Sequence, residues 1–412
     1  MTNNTLRVWA ALGCLAVSGL ASAADVDLAD VPMGSARDPS VKPNIMFIFD
    51  RSGSMGWLHM PDIVSNIIYS YGYKSSQCNG VYYNPAETYK PPVKADGSSY
   101  PDASFTSAWK DGFNTGAGTV NLNTSFKASD WDSTGSAYYY QYNGANGNAS
   151  AKQPPMSYTL LANGVDVDTS TTFYRECNKS SGAGAAATST WTKVVINTSS
   201  ATAVKTNYAN WYSYYRSRLL MMKSATGLAL NQLNNPESLR IGLVYHDSSG
   251  FLPINDYSGP TGVVPITSSC ASGATQRAKL YCYLYSVTAN GGTPTRTALS
   301  RTGQMYQGTG PYITSGRPDP VKFSCQRNSA ILATDGYWNN DTCSDFPCVG
   351  NVDQSDLAPR NDSAGGSSNS MADLAAYYYK TDLRPSGTLS ADNVPTTIKD
   401  PANWQHMVTF TL

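Results

Sequence analysis

The sequence has little charge and no excess of either sign. Charged residues make up 14% of the 412 residues, and 29 Lys and Arg balance 29 Asp and Glu. Nucleic-acid-binding proteins usually carry a basic excess, so no nucleic-acid partner is expected. Beyond the N-terminal region no apolar run is long enough to cross a bilayer, so no transmembrane segment is expected either.

The motifs of common catalytic sites are also missing. The sequence has only three histidines, His59, His246 and His406, and none belongs to an HExxH motif. It has no GxSxG elbow, P-loop or dinucleotide fingerprint, and no CxxC pair of a zinc ribbon or thioredoxin-like site. His59 is expected to be a surface residue. The sequence therefore favours a binding module over an enzyme, and a metal-dependent hydrolase of the periplasm is the alternative.

Residues 1–23 have the pattern of a secretory signal peptide. An arginine precedes a short apolar stretch, and the small residues Ala21, Ser22 and Ala23 follow it. Cleavage is expected after Ala23, and residues 24–43 form a linker. The mature chain is thus predicted to be secreted, to the periplasm or the outer membrane surface.

Cysteine usage agrees with an oxidising compartment. Of eight cysteines, Cys14 lies in the predicted signal peptide, so seven are left and one of them has no partner within the chain. The spacing alone does not fix the pairing. Three pairs lie close in sequence or share one irregular region: Cys343 with Cys348, Cys270 with Cys282, and Cys78 with Cys177.

A long irregular segment interrupts the apolar strand pattern at 44–49. Residues 57–205 are rich in Ser, Thr, Gly and Tyr and show no helical period. This segment is too long for a single loop, so it is interpreted as an inserted β-rich subdomain. Four aromatic residues are expected to pack inside it: Trp109, Trp131, Phe173 and Trp191.

After the insertion, helical and strand patterns alternate. This order predicts an α/β fold over 44–412, with a doubly wound, mostly parallel sheet covered by helices on both faces. Strands are predicted at 240–246, 329–335 and 405–412, and helices at 207–233, 276–287, 291–306 and 371–383. The predicted helix over 207–233 is continuous, with one apolar face.

Polar residues stand where two of these strands end. Asp50, Ser52 and Ser54 follow the first strand, Asp335 follows a later one, and Thr293 opens a helix. Such positions meet at the carboxyl edge of a parallel sheet. All five side chains offer oxygen, which suits Mg²⁺ first, and also Mn²⁺ or Ca²⁺. Taken singly, each motif is equally a helix cap or a turn.

The three motifs together resemble the metal-ion-dependent adhesion site of von Willebrand factor type A domains. They read "DRSGS", "GGTPTRTAL" and "ILATDG" in this chain. The resemblance implies that domain's Rossmann-like fold. It also implies a divalent cation coordinated, directly or through water, by Asp50, Ser52, Ser54, Thr293 and Asp335, with a position left for an acidic group of a ligand.

A narrower resemblance covers most of the chain from residue 208 onward. The segments "NWYSYYRSRLLMMKSATG", "SCQRNSAILATDGYWN" and "AAYYYKTDLRP" look like the PilC/PilY family of type IV pilus tip-associated proteins. This implies an adhesin or pilus assembly factor, whose partners are minor pilins, other pilus components or an acidic ligand on a host or abiotic surface. The family's C-terminal propeller has no counterpart, so a truncated chain is expected, and a non-functional fragment is a further alternative.

Overall fold

The structure is a computed structural model. It describes residues 41–62, 64, 68–143, 159–161, 164–166, 177, 191–233, 236–257, 270, 275–336, 338–339, 341–353 and 368–412. The predicted signal peptide, nearly all of the predicted linker and Phe173 lie outside these residues.

A five-stranded sheet forms the centre of the fold. β1 (Asn44–Phe49) pairs in parallel with β8 (Arg240–Tyr245) on one side and with β10 (Asn328–Ala333) on the other. β11 (Met407–Thr411) extends the sheet in parallel beyond β10. β9 (Phe251–Asp256) pairs antiparallel with β8 at the opposite edge. The predicted mostly parallel sheet is confirmed.

β1 is central because it is apolar on both faces. All six of its residues are buried, as expected of a strand covered by helices on each side. Ile45, Phe47 and Phe49 pack into one hydrophobic cluster, and Met46 and Ile48 pack into another. The alternation of side chains along the strand thus divides the core into two layers.

Helices cover both faces of the sheet. They are α1 (Thr202–Tyr214), α2 (Arg218–Asn231), α3 (Gln276–Ser286), α4 (Thr295–Tyr306), the short α5 (Pro311–Thr314) and α6 (Met371–Lys380). Leucines of α2 and α3 join the cluster of Phe47, whereas Leu299 of α4 and Leu374 of α6 join that of Met46. The fold is therefore doubly wound.

The prediction of one continuous helix over 207–233 is wrong. The first helix ends at Tyr214, and the second begins at Arg218. Ser217 caps the second helix, because its hydroxyl accepts a hydrogen bond of 3.2 Å from the backbone N–H of Leu220. Serine satisfies a free N–H group at a helix start in this way, which local periodicity does not show.

The described residues of the insertion form mainly short strands and turns. Its strands are β2 (Ala108–Trp109), β3 (Thr119–Val120), β4 (Ala137–Tyr142), β5 (Thr159–Leu161), β6 (Gly164–Asp166) and β7 (Trp191–Ile196), paired antiparallel as β2–β3, β4–β7 and β5–β6. Trp191 is fully buried, as predicted. The expectation for Trp131 is wrong, since this side chain is 72% exposed.

Three disulfides form, between Cys78 and Cys177, Cys270 and Cys282, and Cys343 and Cys348. They are the three pairs that the sequence singled out. Cys325 is free. The described helices include none that is long and apolar enough to cross a membrane.

Candidate metal centre

Three strands end side by side at the carboxyl edge of the sheet. The residues that follow β1, β8 and β10 are Asp50, His246 and Thr334. Backbone hydrogen bonds continue the strand pairing up to these residues. The N–H of Asp50 donates to the carbonyl of Ala333 (2.9 Å), and the N–H of His246 donates to the carbonyl of Phe49 (3.0 Å). Strand order reverses between β1 and β10, which is where ligands bind in sheets of this kind.

Asp50 is the buried centre of this edge. One carboxylate oxygen accepts the backbone N–H of Ser52 at 2.7 Å, and the other accepts the hydroxyl of Thr334 at 2.7 Å. The hydroxyl oxygens of Ser52 and Ser54 lie 2.9 Å apart. The 3₁₀ turn Gly53–Gly56 brings these two hydroxyls together. Asp50, Ser52 and Ser54, three of the five predicted residues, therefore lie next to one another.

Thr293 reaches the same edge through its loop. The N–H of Asn290 donates to the carbonyl of Arg51 at 2.6 Å, and the N–H of Gly53 donates to the carbonyl of Gly291 at 3.0 Å. Gly291 has a φ of 79°, a backbone conformation that favours glycine. Thr293 is buried, and it lies two residues before α4 rather than at the first residue of the helix.

Asp335 is held by an arginine that the sequence analysis missed. Arg218, the first residue of α2, donates from Nη1 to Asp335 Oδ2 at 2.7 Å and from Nη2 to Asp62 Oδ1 at 2.5 Å. Its Nε donates to the carbonyl of His59 at 2.7 Å. The side chains of Arg218 and Asp335 are 3% and 6% exposed, so this ion pair is shielded from water.

The donor set fits a hard divalent cation. Among the described residues no three His, Cys, Asp or Glu side chains gather as a metal site. A cation at this edge would therefore depend on serine and threonine hydroxyls beside two carboxylates. Such neutral oxygen ligands suit Mg²⁺, Mn²⁺ or Ca²⁺, and the charge of the ion would be balanced by the two carboxylates alone.

His246 is a second residue of this edge that the sequence analysis did not assign to it. Its Nδ1 accepts the N–H of Arg51 at 2.9 Å, and its Nε2 lies 2.7 Å from the carbonyl of Gly292. Nδ1 therefore carries no proton and Nε2–H donates, which fixes a neutral tautomer. The 3.4 Å approach of Nδ1 to Asp50 is a close contact and not an ion pair. The sequence signal that could have identified His246 was its position at the end of the apolar strand β8.

The prediction that His59 is a surface residue is wrong. Its ring is 8% exposed and stacks on Trp57 with 5.0 Å between ring centroids. Burial, followed by the nearby Arg218 charge, lowers the pKa of His59 to about 4. His59 is therefore neutral at pH 7, and as an uncharged packed ring it supports Trp57, over which the Arg218 guanidinium lies at 5.0 Å.

The chain was compared with known proteins. It is 31% identical over 416 residues to the type IV pilus biogenesis factor PilY1 of Pseudomonas aeruginosa strain PAK, and the match covers 90% of this chain and 32% of that protein. The proteins of the same name from strains PAO1 and UCBPP-PA14 are 29% and 31% identical. No family model and no solved structure matches the chain.

The chain spans about a third of the length of these curated relatives. The similarity extends well beyond the quoted segments, because it runs over nine-tenths of the chain. These relatives support the resemblance to the PilC/PilY family, and over most of its length the chain is similar to type IV pilus biogenesis factors.

Proposed function

We propose that this chain is a secreted, type IV pilus-associated protein that binds a partner through a divalent cation at the carboxyl edge of its sheet. The observation that carries the proposal is the 2.7 Å hydrogen bond from Thr334 to Asp50. It joins the segment of Asp335 to the serine motif, which consists of Asp50, Ser52 and Ser54 and is far away in sequence. The relatives named as pilus biogenesis factors supply the biological setting.

Asp50, Ser52, Ser54, Thr293 and Asp335 would hold the cation, with Mg²⁺ as the first candidate and Mn²⁺ or Ca²⁺ as the others. Asp50 and Asp335 supply two negative charges, and the hydroxyls supply none. The bound ion would offer a coordination position to one further acidic group. The chain's own residues keep the site in place, since Asp50 is fixed from both oxygens.

The proposed partner carries that acidic group. It is a minor pilin, another pilus component or a ligand on a host or abiotic surface. One carboxylate has to lose its water to reach an ion, so this contact contributes modestly to affinity. Specificity then comes from the surrounding surface, and the insertion between 57 and 205 contributes exposed aromatic side chains such as Trp57 and Trp131.

A bacterial strain that depends on this protein for pili tests the proposal. In cells that carry Asp335→Ala, attachment or the number of surface pili should fall, and chelation with EDTA should reproduce the loss in wild-type cells. Counting pili separately from attached cells distinguishes an assembly role from an adhesin role. An Asp256→Ala strain is the control, because this exposed carboxylate lies on β9 away from the site. Unchanged pili and attachment in both the Asp335→Ala strain and EDTA contradict the proposal.

A further inference from the structure

A cavity of about 360 Å³ opens at the break between α1 and α2. It is lined by the end of α1, by Arg216 in the break, by Leu58 beyond the serine motif, and by the insertion around residues 110–130. This volume falls within the range of small-ligand sites, which is about 300–1,000 Å³. The metal centre does not use any of these residues.

Three cations line this cavity without a direct ion pair, although the carboxylates of Asp111 and Asp130 are close enough to act on the charge of Arg216. Lys110, Lys127 and Arg216 form no ion pair with any of the described residues. The described lining contains a single carboxylate, that of Asp130. Lys110 and Lys127 are exposed, so both ammonium groups are free to meet a ligand. The cavity therefore has an excess of positive charge, although the chain as a whole has none.

Arg216 is held in position before any ligand arrives. One Nη2–H donates to the carbonyl of Lys110 at 2.7 Å, and the guanidinium lies 4.2 Å from the centre of the Tyr212 ring. A guanidinium has five N–H donors in a rigid plane. The contacts with the carbonyl and the ring fix that plane and leave donors available for the two oxygens of a carboxylate.

One part of the lining, formed by Tyr82, Trp211 and Phe126, is apolar and rigid. The Tyr82 and Trp211 rings pack with centroids 5.2 Å apart, and their polar atoms are already paired with backbone carbonyls, Trp211 Nε1 with Val81 and the Tyr82 hydroxyl with Tyr138. Phe126 completes this wall. These groups offer apolar contact and no further hydrogen bonds, so a ligand that fits combines an anionic group with an apolar body.

We propose that the cavity binds a short acidic segment of a partner protein, with a carboxylate at Arg216 and the two lysines and an apolar side chain against the aromatic wall. The balanced charge of the whole chain disfavours a nucleic acid as the source of the anion. This site does not depend on the metal centre, and it adds a second point at which an acidic partner is held.

Fluorescence polarisation with the purified full chain tests the proposal. The probe is a short labelled peptide of alternating glutamate and leucine, and the reference peptide has glutamine in place of each glutamate. The acidic peptide should bind, and its affinity should fall as ionic strength rises. The double variant Lys110→Gln/Lys127→Gln should weaken binding by about tenfold or more. Both lysines are exposed, so the variant should retain the wild-type circular dichroism spectrum.

Lys399→Gln is the matched control, because Lys399 is an exposed lysine outside the cavity lining, and it should bind as the wild type does. Binding should also persist in EDTA and in Asp50→Ala, which separates this proposal from the metal-dependent function. Equal affinity for the two peptides, wild-type affinity in the double variant, loss of binding in EDTA, or no binding at all would each overturn the inference.

Discussion

His246 joins three segments of the candidate metal centre with one neutral ring. His246 follows β8. Its Nδ1 accepts a hydrogen bond from the N–H of Arg51, and its Nε2–H donates to the carbonyl of Gly292, in the loop that contains Thr293. The ring is fully buried and touches Asp50. Both ring nitrogens are already hydrogen-bonded, so His246 is not expected to bind a cation. Its role is to position the residues whose oxygens would bind it.

Replacing His246 should therefore weaken metal binding without removing a ligand. His246→Ala is expected to lower the affinity for Mn²⁺ by about 10–100-fold, the usual effect of losing a group that orients metal ligands. His246→Asn retains an acceptor near Nδ1 and should lose less. Calorimetric titration measures both affinities.

His406→Ala is the control for these variants. His406 is also buried, but its ring contacts Trp404 and Asp400, close to it in sequence. An equal loss of Mn²⁺ affinity in His406→Ala, or wild-type affinity in His246→Ala, would show that His246 has no specific role at the site.

At the scale of elements, the start of α2 is the contact between the insertion and the site. The N–H of Arg218 donates to the carbonyl of Trp57, and its guanidinium bridges Asp62 and Asp335. A buried charge pair is costly to break because the remaining partner is left uncompensated. Arg218 thus holds Asp335 in place and puts a fixed positive charge next to a proposed ligand of the cation.

This arrangement predicts that Arg218 lowers the affinity for the metal and raises the stability of the folded chain. Arg218→Met keeps the apolar stem and removes the charge. It should bind Mn²⁺ about tenfold more tightly, which corresponds to about 1.4 kcal/mol, because the variant lacks the positive charge that is paired with Asp335 and repels a cation. Without metal the variant should be less stable to denaturant, by about 3–5 kcal/mol.

Arg240→Met is the matched comparison. Arg240 also pairs with an aspartate, Asp256, but it lies at the start of β8, far from the carboxyl edge. Its loss should leave Mn²⁺ affinity unchanged. If Arg218→Met binds Mn²⁺ with unchanged or lower affinity, Arg218 does not oppose the ion.

At the scale of the whole molecule, much of the fold could be predicted from sequence because its strands are short apolar runs that stop at polar residues. The runs ending near Asp50 and Asp335 are of this kind, and both are strands of the parallel sheet. The edge strand β9 was not predicted. It contains Pro253, which argues against a strand in the middle of a sheet but is tolerated at an edge.

The contacts of the site were harder to predict. Arg218 and Asp335 are 117 residues apart, and Arg51 and His246 are 195 apart. No local pattern encodes such a pair, because the pairing arises only when the sheet brings strand ends together. The residue types at the strand ends were visible in the sequence, whereas the arginine and the histidine that hold them in place were not.

The most direct test of the account is calorimetric titration of Mg²⁺ and Mn²⁺ into the purified wild-type chain, Asp50→Ala and the isosteric Asp50→Asn. Asp256→Ala serves as the control, since it removes an exposed carboxylate at another part of the sheet. The account predicts a single ion per chain in the wild type and the control, and no measurable binding in either Asp50 variant. Wild-type affinity in the Asp50 variants, or no binding in the wild type, would contradict a divalent-cation site at this edge.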